Sequence, residues 1–350
     1  MAVKLKPLDQ QTIVITGASS GIGLATTRAA AAAGAKVVLA ARTREALMKA
    51  VDEIQYAGGQ AAFVEADVSR REDVEKIVEA ARQRFGGFDT WVNNAGVGIW
   101  GRIDEVSEED KRALFETNFW GTVYGMEIAA RELRERGGAI VNVGSLTSDV
   151  AHPLQGIYSA SKQAVKGYTD AFRMELEAVG APISVSLIKP ASIGTPFPQH
   201  VKNYTDAEPK LPGPIYAPEE VAEAILYASR RPVRDLYVGG SARTMAALSS
   251  AAPRLMDWIG EKLIYPMQIG KERPSAGDNL RSGGAEAEVY GDQQGSLVRP
   301  SLTTRAAVNP ALTFGLASAV AAGTGLFLWS RSRRAEGEES TAEEVEAHPS

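Results

Sequence analysis

Thr12-Ile13-Val14-Ile15-Thr16-Gly17-Ala18-Ser19-Ser20-Gly21-Ile22-Gly23 carries a β-branched run directly into a glycine-rich turn. The run 12–16 reads as a buried strand. Residues 24–33 are rich in Ala and read as a helix, which Gly34 ends. Glycines at such a junction allow a tight turn and bring backbone N–H groups toward a pyrophosphate at the helix N-terminus. The spacing is G-x-x-x-G-x-G rather than G-x-G-x-x-G. A glycine-rich stretch alone could be a structural turn; its place right after the first strand favours phosphate binding.

Reading outward, strands at 36–40, 61–65, 90–93, 139–143, 184–188 and 235–238 alternate with helices at 44–57, 71–85, 108–136, 158–179 and 219–229. The helix at 108–136 carries an early break. Alternation of this kind means parallel pairing with right-handed crossovers. The expected fold is α/β: a doubly wound parallel sheet of the Rossmann type, with helices on both faces and a C-terminal helical and linker extension. The catalytic domain spans 9–240. An apolar helical extension follows at 241–270, then a Gly/Ser/Arg/Asp-rich linker at 271–308. Residues 309–330 form a candidate membrane-spanning or membrane-associated helix, and 331–350 a charged tail.

The chain has 350 residues, 44% hydrophobic, and a net charge of −5, enough for one large core plus an appendage. That near-neutral balance gives no sign of nucleic-acid binding. There is no Cys, which excludes disulfides and Cys-ligated metals and fits a reducing compartment. Three His make a His-based metal site an unattractive reading, so no metal is expected. Residues 1–10 lack the apolar core of a secretory signal, so the catalytic domain is expected in the cytoplasm.

Tyr158 and Lys162 lie four residues apart in Tyr-Ser-Ala-Ser-Lys, which puts both on one helix face; Ser145 is thirteen residues upstream. An ammonium beside a phenol favours the phenolate, so the Tyr158 pKa is expected to fall from about 10 toward the working pH. A tyrosine so tuned exchanges a proton with a carbonyl or alcohol. At the end of the second strand, an acid would hydrogen-bond the adenosine ribose and repel a 2′-phosphate. The sequence instead places Ala40, Ala41 and Arg42 there, so NADP is preferred over NAD. Asp67-Val68, after the third strand, can reach an adenine, or Asp67 can cap the next helix. Asn93-Asn94-Ala95-Gly96 ends the fourth strand, where ligands of open sheets bind, although a turn would also explain it.

Together these pieces resemble the short-chain dehydrogenase/reductase superfamily, in its single-domain Tyr-x-x-x-Lys branch. The matches are the TGASSGIG loop, Asp67, Asn93 to Gly96, Asn118, Ser145, the YSASK run, and Pro190 with Thr195. The resemblance implies that Tyr158 is the general acid/base and that Lys162 lowers its pKa and binds the nicotinamide ribose. Ser145 would bond the substrate oxygen, and Asn118 would hold a helix distortion and a water in the proton relay. It further implies that Gly17, Ser19, Ser20, Gly21, Ile22 and Gly23 line the phosphates. Asp67, Val68, Asn94, Ala95 and Gly96 would border the adenosine; Pro190, Ile193 and Thr195 would lie toward the carboxamide. Where the family carries Pro-Gly, this chain has Pro190-Ala191, which puts the local backbone in question.

Ile99, Trp100, Leu146, Leu154, Phe197 and Tyr204 are candidate pocket residues, and their apolar character implies a lipophilic ketone, aldehyde, steroid or acyl chain. His152 is expected at the pocket rim. The resemblance also implies a homodimer or homotetramer through the helices that carry Asn118 and Tyr158. The uncharged run 311–329 is about long enough to cross a bilayer core of ~30 Å at ~1.5 Å per residue. Trp329 ends it and three arginines follow, like an interfacial boundary, although Arg331, Arg333 and Arg334 would then lie outside, against the positive-inside tendency. The chief alternative function is a membrane-attached nucleotide-binding scaffold without turnover; an isomerase or dehydratase using a bound nicotinamide is a third.

Overall fold

In a computed structural model, the structure describes residues 3–271, 278–284, 287–292 and 297–309. Seven strands form one parallel sheet: β1 (Thr12–Thr16), β2 (Lys36–Ala41), β3 (Ala61–Glu65), β4 (Thr90–Asn93), β5 (Gly138–Val143), β6 (Ile183–Pro190) and β7 (Asp235–Val238). Their spatial order is β3-β2-β1-β4-β5-β6-β7. Every residue of β1, β4, β5 and β6 is buried. This is why the strands read as continuous β-branched runs rather than as alternating patterns: both sheet faces are covered by helices. Val14 pairs with Val38 on one side and Trp91 on the other, which places β1 inside the sheet between β2 and β4.

The chain order reverses between β1 and β4, and such a switch point opens a crevice at the carboxyl ends of the strands. The helices that cover the sheet are α1 (Gly21–Ala32), α2 (Arg44–Tyr56), α3 (Arg71–Phe85), α4 (Glu108–Phe115), α5 (Gly121–Leu133), α6 (Gly156–Ala178) and α7 (Pro218–Arg230). The break expected within 108–136 is a single π-turn, Glu116–Trp120, that joins α4 to α5. The first helix starts earlier than the alanine pattern indicates, at Gly21 after an extended Ser20.

The apolar extension at 241–270, expected to be helical, is helical but interrupted. α8 (Gly240–Ala251) and α9 (Pro253–Ile259) meet at Pro253, and a second π-turn follows at Gly260–Ile264. Proline cannot continue the hydrogen-bond ladder of α8 but is tolerated in the first turn of α9. Ala242, Ala246, Met256 and Ile264 bury themselves against Leu146 and Val150, so this extension packs on the segment that follows β5.

The compact unit continues to Thr304, beyond the boundary at Gly240 drawn from the sequence. The described parts of 271–304, read as a flexible linker, are hydrogen-bonded to Gly21, Arg42, Thr43 and Ile215. Backbone-to-backbone and charged contacts hold this segment, so its polar composition conceals the packing. The candidate membrane segment 309–330 lies, apart from Asn309, outside the described residues, as does the tail 331–350. Among the described residues no helix is long and apolar enough to cross a membrane.

Candidate active site

The cleft at the switch point is built first by glycine. Gly17 and Gly21 adopt positive φ, 65° and 53°, which side-chain-bearing residues rarely tolerate. Gly23 is required by space: a Cβ there would stand 2.1 Å from the Gly17 carbonyl oxygen and 2.6 Å from Asn94 Nδ2. Asn94 braces the loop by donating from Nδ2 to the carbonyls of Thr16 (2.9 Å) and Gly17 (3.2 Å). Thr16 Oγ1 in turn accepts from the backbone N–H groups of Asn94 and Ala95. Asn93, read with its neighbours at the strand end, turns the other way and bonds Asn142 and Trp91 in the core.

Gly17, Ser19, Ser20, Gly21, Ile22, Arg42, Asp67, Val68, Asn94, Ala95 and Gly96 all line one cavity, of about 240 Å³. Gly23 supports its wall without lining it. Arg42 follows β2 as expected; burial lowers its pKa, and the charge of Asp67 opposes that shift. Asp67 does not cap α3, whose N-cap is Arg70 and carries no side-chain cap bond. Asp67 lines the cavity, and its Oδ1 accepts from the N–H and hydroxyl of Ser69.

The same cavity is lined at its other end by Ser145, Tyr158, Lys162, Pro190, Ile193 and Thr195. Ser145 ends the loop after β5; its hydroxyl accepts from the Thr147 N–H and its own N–H donates to Ser148 Oγ. These two bonds hold it facing the start of α6, where it hydrogen-bonds Tyr158. Lys162, only 4% exposed, donates from Nζ to the Val143 carbonyl at 2.9 Å, and this nitrogen lies 5.8 Å from the centre of the Tyr158 ring. Asn118 does not line the cavity. It sits in the π-turn, fully buried, with Oδ1 accepting from Val97 N–H and Nδ2 donating to Val97 carbonyl and Ser161 Oγ. It ties the π-turn both to the strand-end loop and to α6.

One expectation is reversed. Burial pushes the Tyr158 pKa up to about 12, with the Ser145 hydroxyl pulling the other way, and pushes Lys162 down to about 8. Sequence spacing places the two side chains together but does not account for the loss of water around both, and desolvation disfavours each charged form. At neutral pH the phenol is therefore protonated and the amine still charged.

Of the expected pocket residues, Leu146 and Phe197 line the cavity, and Phe197 packs on Tyr158 at 5.6 Å between ring centres. Ile99 and Trp100 form a short buried parallel pair with Lys202–Asn203 instead. Leu154 is buried among Trp100 and Val201, and the Tyr204 hydroxyl donates to Asp110. The departure at Ala191 is harmless: among the described residues only Leu154 is a non-glycine with positive φ, and Ala191 N–H donates to the Val238 carbonyl. His152 and Gln155 line the cavity, as do Asn279, Gly283 and Gly284, which the sequence reading missed. The only signal for the last two was the glycine pair in an otherwise polar stretch.

His152 is 8% exposed, its Nε2 has no hydrogen-bond partner among the described residues, and burial lowers its pKa from 6.5 to about 4. Its folded pKa lies below the unfolded one, so the unfolded chain binds the extra proton between these values. Stability should therefore fall as pH drops from 6.5 to 4, by about 3 kcal/mol at the lower end. Urea unfolding against pH checks this, and His152→Gln should flatten the slope in that window.

Among the described residues no cluster of His, Asp and Glu could hold a metal. The glycine loop fits a dinucleotide: Gly17 and Gly23 let the loop close on Ala95, Asn94 and its own backbone, where any Cβ would clash, and so keep its backbone beside the N-terminus of α1 in the cavity wall.

A family model described as short chain dehydrogenase matches residues 11–205. An uncharacterized oxidoreductase, YxnA, from Bacillus subtilis is 45% identical over 338 residues, 95% of this chain and 93% of that protein. A short chain dehydrogenase/reductase from Burkholderia phymatum, solved in complex with NAD, superposes with a TM-score of 0.65 at 28% identity, covering 72% of this chain and 96% of that one. An alcohol dehydrogenase from the archaeon Thermococcus sibiricus, complexed with 5-hydroxy-NADP, gives 0.57 at 29% identity over 65% of this chain and 95% of that one.

Proposed function

The chain belongs to the short-chain dehydrogenase family, and from that membership we propose that it is an NADP(H)-dependent oxidoreductase that interconverts a carbonyl and an alcohol. The favoured direction is reduction of a lipophilic ketone or aldehyde. The observation that carries this reading is the single cavity in which Ser145, Tyr158 and Lys162 share walls with the glycine loop and Arg42. Arg42 supports NADP over NAD, because its guanidinium can pair with a 2′-phosphate and no acid stands in its place.

The cofactor, when bound, supplies a hydride to the carbonyl carbon. Ser145 Oγ donates a hydrogen bond to the substrate oxygen, and Tyr158 gives that oxygen its proton as negative charge develops. A phenol with a pKa of about 12 is fully protonated at neutral pH, which suits an acid better than a base. Lys162 places a positive charge within reach of the ribose and of the Tyr158 ring, and Asn118 holds the π-turn against α6. Phe197, Leu146, Leu211 and Pro212 give the substrate end its apolar surface. The aromatic face of α5 and α6, where Phe119, Trp120, Tyr124 and Tyr168 pack in sequence and Trp120 is 42% exposed, supports assembly of copies through these helices.

Lys162 is charged below its pKa of about 8. Carbonyl reduction should therefore be flat through neutral pH and fall as pH rises through about 8, read from kcat at saturating NADPH. A profile rising through that range would oppose the assignment. The reading itself is tested by following NADPH absorbance with a panel of lipophilic ketones and aldehydes. Turnover supports it. Tight NADPH binding with no turnover on any carbonyl favours the scaffold alternative, and no binding sinks the cofactor assignment.

A further inference from the structure

The strands and helices of the sheet do not complete the adenosine end of the cleft; residues 278–284 do. Two charged pins hold this segment down. Asp278 pairs with Lys202 at 3.0 Å, and Arg281 pairs with Asp110 at 2.6 Å and Glu109 at 3.1 Å. Between them Leu280, 2% exposed, inserts among Val97, Ile99, Val106 and Leu114, and Asn279 N–H donates to the His200 carbonyl at 2.8 Å. The segment is thus anchored by apolar burial as well as by charge.

Its inner side meets Arg42 and Thr43. The guanidinium donates from Nη2 to the Asn279 carbonyl at 2.5 Å and from Nη1 to the Leu280 carbonyl at 3.4 Å. Thr43 Oγ1 donates to the Gly284 carbonyl at 2.7 Å. The approach is close enough that a Cβ on Gly283 would stand 2.3 Å from Thr43 Oγ1. Asn279, Gly283 and Gly284 then line the same cavity as Arg42 and Asp67. Asn279 Oδ1 is buried there without a hydrogen-bond partner among the described residues. A buried amide oxygen without a partner is costly, and a hydroxyl or amine of a bound nucleoside would relieve it.

We propose that residues 278–284 are part of the dinucleotide site: they hold Arg42 at the adenosine ribose, contribute the Asn279 amide as a ligand to that nucleoside, and so set selectivity for the 2′-phosphorylated cofactor. The inference deepens the NADP reading above and rests on it. The two carbonyls take one N–H from each terminal nitrogen of Arg42, which fixes the plane of the fork. The remaining N–H groups are left for a phosphate. A fork fixed before binding loses less conformational freedom on binding. Gly283 and Gly284 keep that corner free of side chains.

The test uses the full chain and reads the Kd of NADPH and of NADH separately, from nicotinamide fluorescence. Asn279→Ala keeps the backbone carbonyl that holds Arg42 and removes only the amide; both cofactors should weaken by about tenfold. The double variant Asp278→Ala/Arg281→Ala removes both pins without touching a residue that lines the cavity. It should weaken NADPH by about tenfold and NADH far less, so that the NADPH-to-NADH preference collapses. Unchanged constants in both variants overturn the proposal alone, and so does tighter binding, which would make the segment an obstruction. A wild-type chain that binds neither cofactor overturns the function proposed above together with this inference, and the two failures are thereby distinguished.

Discussion

Tyr158→Phe should lower carbonyl turnover by about 10² to 10⁴-fold, the range typical for loss of a positioned general acid. The substitution is nearly silent for the fold. The ring keeps its packing on Phe197, 5.6 Å between centres, and only the hydroxyl that meets Ser145 is removed. Because burial disfavours the phenolate, the hydroxyl is held as a proton donor, and a phenyl ring can supply nothing in its place. The loss should fall on kcat, since the proton is transferred in the transition state and substrate binding draws on the apolar wall. Steady-state kinetics beside a thermal unfolding curve separates this from misfolding. An unchanged melting temperature with kcat lost is the expected pair, and retained kcat would remove Tyr158 from the chemistry.

Gly23→Ala should cost stability and cofactor binding together. The added methyl would stand 2.1 Å from the Gly17 carbonyl oxygen and 2.6 Å from Asn94 Nδ2. The first contact is backbone, so either the loop or the first turn of α1 must move. Overpacking of this kind costs about 1–3 kcal/mol. Moving the loop also strains the bonds that Asn94 makes to Thr16 and Gly17, and these shape the phosphate end of the cleft. Denaturant unfolding should show the lower stability, and NADPH titration a weaker Kd. Gly58→Ala is the control: it has positive φ too, 85°, but a Cβ there meets none of the described residues within 4 Å, and Gly58 does not line the cavity. Any stability loss there should leave the cofactor Kd unchanged.

The sheet was legible because its inner strands are covered on both faces. The runs Thr12–Thr16 and Lys36–Ala41 therefore show as unbroken apolar segments, and the glycines between strand and helix mark the switch point. Site residues that line the cavity from the sheet's carboxyl edge were legible for the same reason, since motif and topology coincide there. Local spacing could not reveal the titration of Tyr158 and Lys162. Four-residue separation on a helix says that two groups meet, whereas their pKa values depend on how much water the rest of the chain leaves. Nor could it reveal 278–284. That segment is held mainly by backbone carbonyls, the ion pairs of Asp278 and Arg281 and one buried leucine, none of which makes a periodic pattern. The extension at 241–270 was legible as helical from its apolar content, but that content does not show where Pro253 and the π-turn at Gly260–Ile264 interrupt it.

The most direct test of the central claim is isotope transfer. NADPH carrying deuterium at its transferable position would be incubated with the full chain and a lipophilic ketone that it turns over, and the product alcohol examined by mass spectrometry. The account predicts one deuterium on the carbinol carbon, and no labelled alcohol when Tyr158→Phe replaces the wild type. Product alcohol without label, or label transferred equally well by Tyr158→Phe, would contradict it.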